Sequence, residues 1–139
     1  MPNHFHLIIK QVAPKGISNF LADFQNSYTK YFNVKRDRVG PLFQGPFKSV
    51  HVKNDEYLLH LSRYIHLNPV SSFLIKQNQL TNYPWSSFSK FCENKTGLCE
   101  KDIILNNYAT NESYQDFVLD YAEYSQSLEM IQHLTFNEY

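Results

Sequence analysis

Two histidines one residue apart, His4 and His6, lie at the start of the chain in the segment PNHFHLIIK. Side chains two residues apart point the same way on a β-strand, because successive side chains alternate between its faces. Residues 4–10 include β-branched and aromatic residues and no Gly or Pro, so we expect a strand there. Two imidazoles on one face suit two ligands of a single metal ion. Two half-exposed polar side chains are the more common explanation of such a pair, and the pattern alone does not decide between them.

A second group of polar side chains lies on a predicted helix that Asn54 or Asp55 is suited to cap. His60, Tyr64 and Asn68 recur at every fourth position, so they fall roughly along one line of this helix. The line places an imidazole, a phenol and an amide together. An ordinary amphipathic helix whose polar face meets solvent or a loop would show the same pattern.

An aromatic-rich segment predicts another helix over about residues 18–33, with Ser18 or Asn19 as its cap. We expect the aromatic face of this helix to be core, with base stacking by Tyr28 and Tyr31 as the alternative. The apolar positions at helical spacing are Ile17, Phe20, Leu21, Phe24, Tyr28, Tyr31 and Phe32.

The other elements follow from the same kinds of pattern. Residues 47–52 alternate and predict a second strand, whereas residues 101–108 and 113–133 predict helices. Pro69 is expected to end or kink the helix that starts near residue 54. The expected apolar faces are Leu58, Leu59, Leu61 and Ile65 before the proline, and Phe117, Tyr121, Tyr124 and Leu128 in the last helix.

The charge of the chain is distributed unevenly. Residues 1–80 contain ten Lys and Arg against four Asp and Glu, a net charge of +6, and residues 81–139 contain three against nine, a net charge of −6. This asymmetry favours binding of a polyanion by residues 1–80, with residues 81–139 as a solvated acidic region. The alternative is a surface whose charge is merely uneven. Five basic residues are candidates for phosphate contacts, with ordinary solvation as the alternative for each. They are Lys35, Arg36 and Arg38 after the aromatic helix, and Lys48 and Arg63 beside the expected site.

Length and composition set broader limits. The 139 residues indicate one ordinary domain with enough apolar content for a core. The apolar runs are short and interrupted by charge, so neither a membrane span nor a signal peptide is expected. Cys92 and Cys99 match no zinc-ligand spacing and are expected to be plain thiols in a reducing cytoplasm.

Five motifs occur in order within about residues 1–90: MPNHFHL, SYTKYFN, LFQGPFKS, RYIHLNPV and YPWSSF. Together they resemble the REP-associated tyrosine transposases, a branch of the single-tyrosine HUH transposases that act on single-stranded DNA. The resemblance implies an α+β fold, a partial ferredoxin-like HUH domain over residues 1–90, with packed helices on an antiparallel sheet. Residues 91–139 are then an acidic, mostly helical extension, which either covers the sheet or mimics nucleic acid and restrains the basic half.

The same resemblance implies the site. His4 and His6 would hold a divalent cation, Mg²⁺ or Mn²⁺, and Asn68 would supply a third, amide-oxygen ligand. Tyr64 matches the family's nucleophile, which becomes joined to a DNA 5′ phosphate. His60 either tunes this tyrosine or is an ordinary histidine on the helix surface.

The chain begins immediately before the first motif, whereas the family's full-length members have earlier strands of the sheet. We therefore expect a fragment, the product of an interrupted gene or a protein prepared without its first half, and its activity alone is an open question. The expected partner is single-stranded DNA with hairpin or palindromic repeats, in a bacterial cytoplasm at the nucleoid, with either a homodimer or a monomer. The alternatives to a transposase are a catalytically inactive DNA-binding remnant of the family and an interaction domain whose histidine pair is incidental.

Overall fold

The structure is a computed structural model, and it describes residues 3–93 and 96–128. The described chain separates into two compact units. One unit, called the α1 unit, is Leu7–His51. The other, called the site unit, comprises the described residues before position 7 and those from Val52 onward. These boundaries differ from a division at residue 90.

The described part of the chain is helical and contains no strand, so the predicted ferredoxin-like antiparallel sheet and the α+β class are wrong. Residues 4–10 and 47–52, which were expected to be strands, have no regular secondary structure. An alternating pattern shows only that a segment tolerates the extended conformation. A strand also needs a paired neighbour, and even a two-stranded ribbon is marginally stable by itself.

The α1 unit contains one long helix, α1 (Gly16–Lys35), which confirms the helix predicted over 18–33. It follows Lys15, whose φ of 60° lies in the left-handed region, and no side chain caps it. Ser18 and Asn19 lie inside the first turn, so the predicted cap is wrong. Leu21 is the only buried residue of α1, and the aromatic face expected to be core is largely exposed. The 3.6-residue period identified the apolar face correctly but carried no information about what packs on it.

The site unit is organised around helix α2 (Asp55–Ser71). The backbone N–H of Tyr57 donates to the side-chain oxygen of Asn54 at 2.8 Å, which confirms one of the two predicted caps. Pro69 does not end the helix, which continues to Ser71. The missing N–H of Pro69 removes only one backbone hydrogen bond, and it does so two residues before the end of the helix. The carbonyl of Pro69 accepts hydrogen bonds from Leu74 and Ile75, which closes the helix a few residues later.

Four short helical elements surround α2. They are a 3₁₀ helix (Gln77–Asn82), α3 (Phe88–Cys92), α4 (Asp102–Leu105) and α5 (Asn111–Leu119), and residues 122–128 are also helical. The helices predicted over 101–108 and 113–133 are therefore correct in type but longer than those observed, and residues 129–133 lie outside the described part. The core of this unit contains Leu58, Leu67, Val70, Leu80, Phe88, Phe91, Ile104, Tyr114, Val118 and Ala122.

The buried faces of the helices differ from the predicted ones. On α5 the buried residues are Tyr114 and Val118, whereas Tyr124 and Leu128 further on are exposed. On α2, Leu58 is buried as predicted, but Leu59, Leu61 and Ile65 are only partly buried. In both cases the predicted buried face lies next to the face that is buried in the structure. None of the helices in the described ranges is both long and apolar enough to cross a membrane.

Candidate metal and nucleophile site

His4 and His6 lie side by side in the site unit, outside regular secondary structure and exposed to solvent. Their ring centres are 5.0 Å apart, and the ring planes are nearly perpendicular at 87°. The Nδ1–H of His4 donates to Oδ1 of Asn3 at 2.8 Å, because an amide oxygen can only accept. When the ring carries a single proton, this hydrogen bond leaves Nε2 with its lone pair, as in many metal-binding histidines.

The spacing of the pair and the protonation of His6 are compatible with a shared cation. The separation of 5.0 Å is typical of an edge-to-face ring pair and is also compatible with two imidazoles that bind one ion at about 2.1 Å. Partial shielding from water, and then the nearby charge of His4, hold the pKa of His6 below its ordinary value of 6.5. His6 is therefore neutral at pH 7, which is the form that binds metals.

Tyr64 of α2 approaches this pair from 58 positions further along the chain. Its ring centre is 5.9 Å from that of His6, and the two rings meet edge to face at 73°. The Tyr64 side chain is 55% exposed, so a large substrate can reach it from solvent. The structure thus brings together His4, His6 and Tyr64 although the expected sheet is absent from the described residues.

Asn68 lies one turn after Tyr64, roughly 6 Å further along the axis of α2. It is 7% exposed, and its Oδ1 is buried without a hydrogen-bond partner. Such an orphaned oxygen costs about 1–3 kcal/mol, and a cation ligand would satisfy it. Within the described ranges, no three His, Cys, Asp or Glu side chains form a metal-binding group. The amide oxygen is a ligand type that suits Mg²⁺ and Mn²⁺, whereas the two imidazoles are ligands that also suit Zn²⁺ and Fe²⁺.

Arg63 of α2 contacts His60 on the same helix and two aromatic rings further along the chain. Arg63 donates from Nη2 to Nδ1 of His60 at 2.9 Å. The guanidinium lies 4.0 Å from the ring centre of Tyr121 and 4.4 Å from that of Phe117, as a cation–π pair does. These contacts link α2 to α5 and to the segment after it. A tuning role for His60 and a DNA contact for Arg63 stay predictions.

The other candidate DNA contacts lie in the α1 unit, on the last turn of α1 and the segments after it. Lys35 donates from Nζ to the hydroxyl of Tyr31 at 2.9 Å, and this hydrogen bond raises the pKa of the lysine. Arg36 and Lys48 are exposed. Their proposed phosphate contacts stay predictions as well.

Arg38 has a structural role in the same loop. It donates from Nη1 to Oδ1 of Asn33 at 2.9 Å and from Nη2 to the carbonyl of Pro41 at 3.3 Å. Asn33 in turn donates to the carbonyl of Gly40, which adopts a positive φ of 94°. The guanidinium therefore orders the loop after α1, and its availability to a phosphate is reduced.

Sequence reasoning missed a buried polar chain on the other face of α2. His66 places Nδ1 at 2.7 Å from the hydroxyl of Tyr114 and Nε2 at 2.8 Å from Oγ of Ser87. The Tyr114 hydroxyl donates to Ser62 at 3.1 Å, and Ser62 donates to the carbonyl of Leu59. The tyrosine oxygen must then accept from Nδ1–H of His66, and Ser87 donates to Nε2. Each donor in this hydrogen-bond chain therefore has one acceptor.

Burial determines the protonation of this chain. Desolvation lowers the pKa of His66 to about 4 and raises the pKa of Tyr114 far above its ordinary value, so both are neutral at pH 7. A signal for it exists in the sequence, because Ser62 and His66 follow the buried Leu58 at intervals of four. A serine and a histidine at the spacing of buried residues are usually expected to face solvent, so the pattern did not reveal this buried hydrogen-bond chain.

Comparison with protein-family models, with curated proteins and with solved structures finds no match to this chain. The functional interpretation therefore depends on the geometry above and on the motif resemblance.

Proposed function

We propose that this protein is a metal-dependent enzyme that cleaves and rejoins single-stranded DNA, with Tyr64 as its nucleophile. The observation that carries the proposal is the meeting of Tyr64 with the His4–His6 pair across 58 positions of sequence. The resemblance of the motifs to the HUH transposases supports the same assignment and makes DNA transposition the expected biological role.

The proposed step is an in-line displacement at phosphorus. The phenolic oxygen of Tyr64 forms a bond to the phosphorus while the bond to the 3′ oxygen breaks. The phenolic proton leaves to solvent or a base, and the departing 3′ oxygen takes up a proton, so nothing is oxidised or reduced. The 5′ phosphate stays on the tyrosine, and attack by a 3′ hydroxyl on this ester rejoins the strand without ATP.

His4, His6 and Oδ1 of Asn68 are the groups proposed to hold Mg²⁺ or Mn²⁺. A bound cation supplies Lewis acidity that polarises the scissile phosphate and stabilises the developing charge. Imidazole and amide groups bind metals as uncharged ligands, so they would leave the charge of an ion available to phosphate oxygens. The exposure of Tyr64 suits a polymeric substrate better than a small molecule, which usually occupies an enclosed pocket.

The test uses hairpin-forming single-stranded DNA labelled at either end. With Mn²⁺, we expect a 3′-labelled strand to become covalently attached to the protein on a denaturing gel. A 5′-labelled strand should instead be released as a shorter product with a 3′ hydroxyl. Tyr64→Phe should abolish both products, whereas Tyr57→Phe on the same helix should keep them. Adduct formation by Tyr64→Phe at the normal rate would contradict the proposal.

One observation favours a second candidate, a DNA-binding protein of the same family without catalytic activity. His4 and His6 lie in an exposed segment that belongs to no sheet or helix in the described part of the chain. Catalytic groups usually need support that holds them within about 0.5 Å of the productive geometry. In the labelled-strand experiment, this candidate predicts retention of DNA on a native gel with no adduct on the denaturing gel.

A further inference from the structure

Helix α1 carries a row of aromatic rings along one face. The rings of Phe20 and Phe24 are stacked with centres 6.1 Å apart and an angle of 17°, and those of Phe24 and Tyr28 are stacked at 6.4 Å and 13°. Tyr31 continues the row 6.3 Å beyond Tyr28. We call these four residues the aromatic ladder. Its rings follow one another at about the pitch of the helix.

The side chains of the aromatic ladder stay substantially exposed, although Tyr28 also contacts the rings of Phe32 and Phe43. The four side chains are 50%, 38%, 44% and 56% exposed in chain order. The single buried residue of α1, Leu21, is not one of these four. Several large apolar side chains exposed along one helix face are a feature of binding surfaces.

The charge of the α1 unit indicates what binds there. Leu7–His51 contains seven Lys and Arg against two Asp, a net charge of +5. Two open depressions of about 630 and 440 Å³ flank the C-terminal half of α1, and Lys30 lines both. At the end of the ladder, the Nζ of Lys35 lies 5.4 Å from the centre of the Tyr31 ring. Positive charge thus adjoins flat, exposed rings.

We propose that the aromatic ladder binds single-stranded nucleic acid by stacking unpaired bases on its rings while the neighbouring cations contact the phosphates. A single strand offers both complements at once, a polyanionic backbone and free π faces. Face-to-face packing of two α1 units from separate copies would bring +5 against +5, which opposes a self-associating surface. The proposal deepens the function proposed above, since it assigns a place where the strand is held, and it rests on that function for its biological meaning.

Binding can be tested without metal or chemistry. In EDTA, the full chain carrying Tyr64→Phe is titrated into a fluorescent oligothymidine and into an abasic strand of the same length, at one fixed salt concentration. The abasic strand keeps the phosphates but has no bases to stack. We expect oligothymidine to bind about tenfold more tightly or better, as stacking of one or two bases would produce.

Substitutions in the aromatic ladder test whether the bases bind there. Tyr28→Ala combined with Tyr31→Ala should weaken oligothymidine binding about tenfold or more and change binding of the abasic strand little. Tyr28→Phe, which keeps a stacking ring, should bind normally. Tyr124→Ala is the matched control, because Tyr124 is 55% exposed but lies in the acidic half, and it should have no effect. Circular dichroism of each variant checks that α1 remains helical.

Three outcomes would overturn the inference: equal binding of the two strands, wild-type oligothymidine binding by the double variant, or a dimer without DNA that the double variant dissociates. The last result would assign the ladder to a second copy of the chain. Base-dependent binding without any Tyr64 adduct would leave the ladder intact and refute only the catalytic function. An adduct without base-dependent binding would refute only the ladder.

Discussion

The ring of Tyr64 meets the ring of His6 edge to face at 5.9 Å, although 58 positions separate the two residues in sequence. His6 lies in turn 5.0 Å from His4, so a phenol adjoins two imidazoles that can share a cation. This relationship is the basis of the proposed function.

Metal binding should depend on the histidine pair. His4→Ala and His6→Ala should each weaken Mn²⁺ binding by about tenfold or more, because each removes a proposed ligand. Isothermal titration calorimetry, or the electron paramagnetic resonance signal of free Mn²⁺, measures this without any enzymatic assay. His51→Ala, at another exposed histidine, is the control. Unchanged affinity in both variants of the pair would rule out the proposed ion site.

Asn68 should contribute through its orphaned amide oxygen. Asn68→Leu removes the oxygen and should weaken Mn²⁺ binding about tenfold, whereas Asn68→Asp adds a charged oxygen ligand and should strengthen it. Without metal, Asn68→Leu should cost little stability, because Oδ1 has no hydrogen-bond partner to lose. Calorimetric titration measures the Mn²⁺ affinity, and urea unfolding measures the stability without metal. Wild-type metal affinity in Asn68→Leu would show that this amide is not a ligand.

The cap at Asn54 was predicted correctly and the sheet was not, and this difference has a physical reason. Histidine spacing, the cap at Asn54 and the line from Tyr64 to Asn68 are local properties, and the structure contains that capped helix with Tyr64 beside His6. Strand pairing is not local, because a segment such as 4–10 is compatible with a strand whether or not a partner exists. The predicted sheet depended on that missing partner.

Burial was likewise poorly predicted by local pattern. The aromatic face of α1 has the period of a core helix, yet it stays exposed because no second helix belongs to its unit. Conversely, His66 is a polar residue that the structure buries. Its burial follows from hydrogen bonds to Tyr114 and Ser87, which lie 48 and 21 positions away and are invisible to periodicity.

His66 should make stability fall in mild acid. The folded-state pKa is about 4 and the ordinary value is 6.5, so the unfolded chain binds the proton more tightly. The full contribution to the free energy of unfolding is present above pH 6.5 and is lost progressively between pH 6.5 and 4. The total loss is about 3 kcal/mol at most. Urea unfolding at a series of pH values measures it.

A variant series isolates this titration. His66→Gln should be less stable at pH 7 but should show a flatter profile between pH 6.5 and 4. His60→Gln, at an exposed position of the same helix, should keep the wild-type profile. The same slope in His66→Gln as in the wild type would assign the acid sensitivity to other groups.

The hydroxyl of Tyr114 should stabilise the site unit. Tyr114→Phe leaves the Nδ1–H of His66 without an acceptor and should lower the free energy of unfolding by about 1–3 kcal/mol. Tyr108→Phe, on a ring packed against Tyr114, is the control and should cost less. Chemical denaturation compares them, and equal costs would mean that the buried hydrogen-bond chain contributes little.

The most direct test of the central claim is to locate the covalent bond to DNA. Tryptic cleavage after Arg63 releases the peptide YIHLNPVSSFLIK, which ends at Lys76 and contains Tyr64 as its single tyrosine. After incubation with hairpin DNA and Mn²⁺ followed by nuclease digestion, mass spectrometry should find a nucleotide 5′ phosphate on this peptide. The same mass on the peptide that contains Tyr57, or on none of the ten tyrosines, would contradict the account.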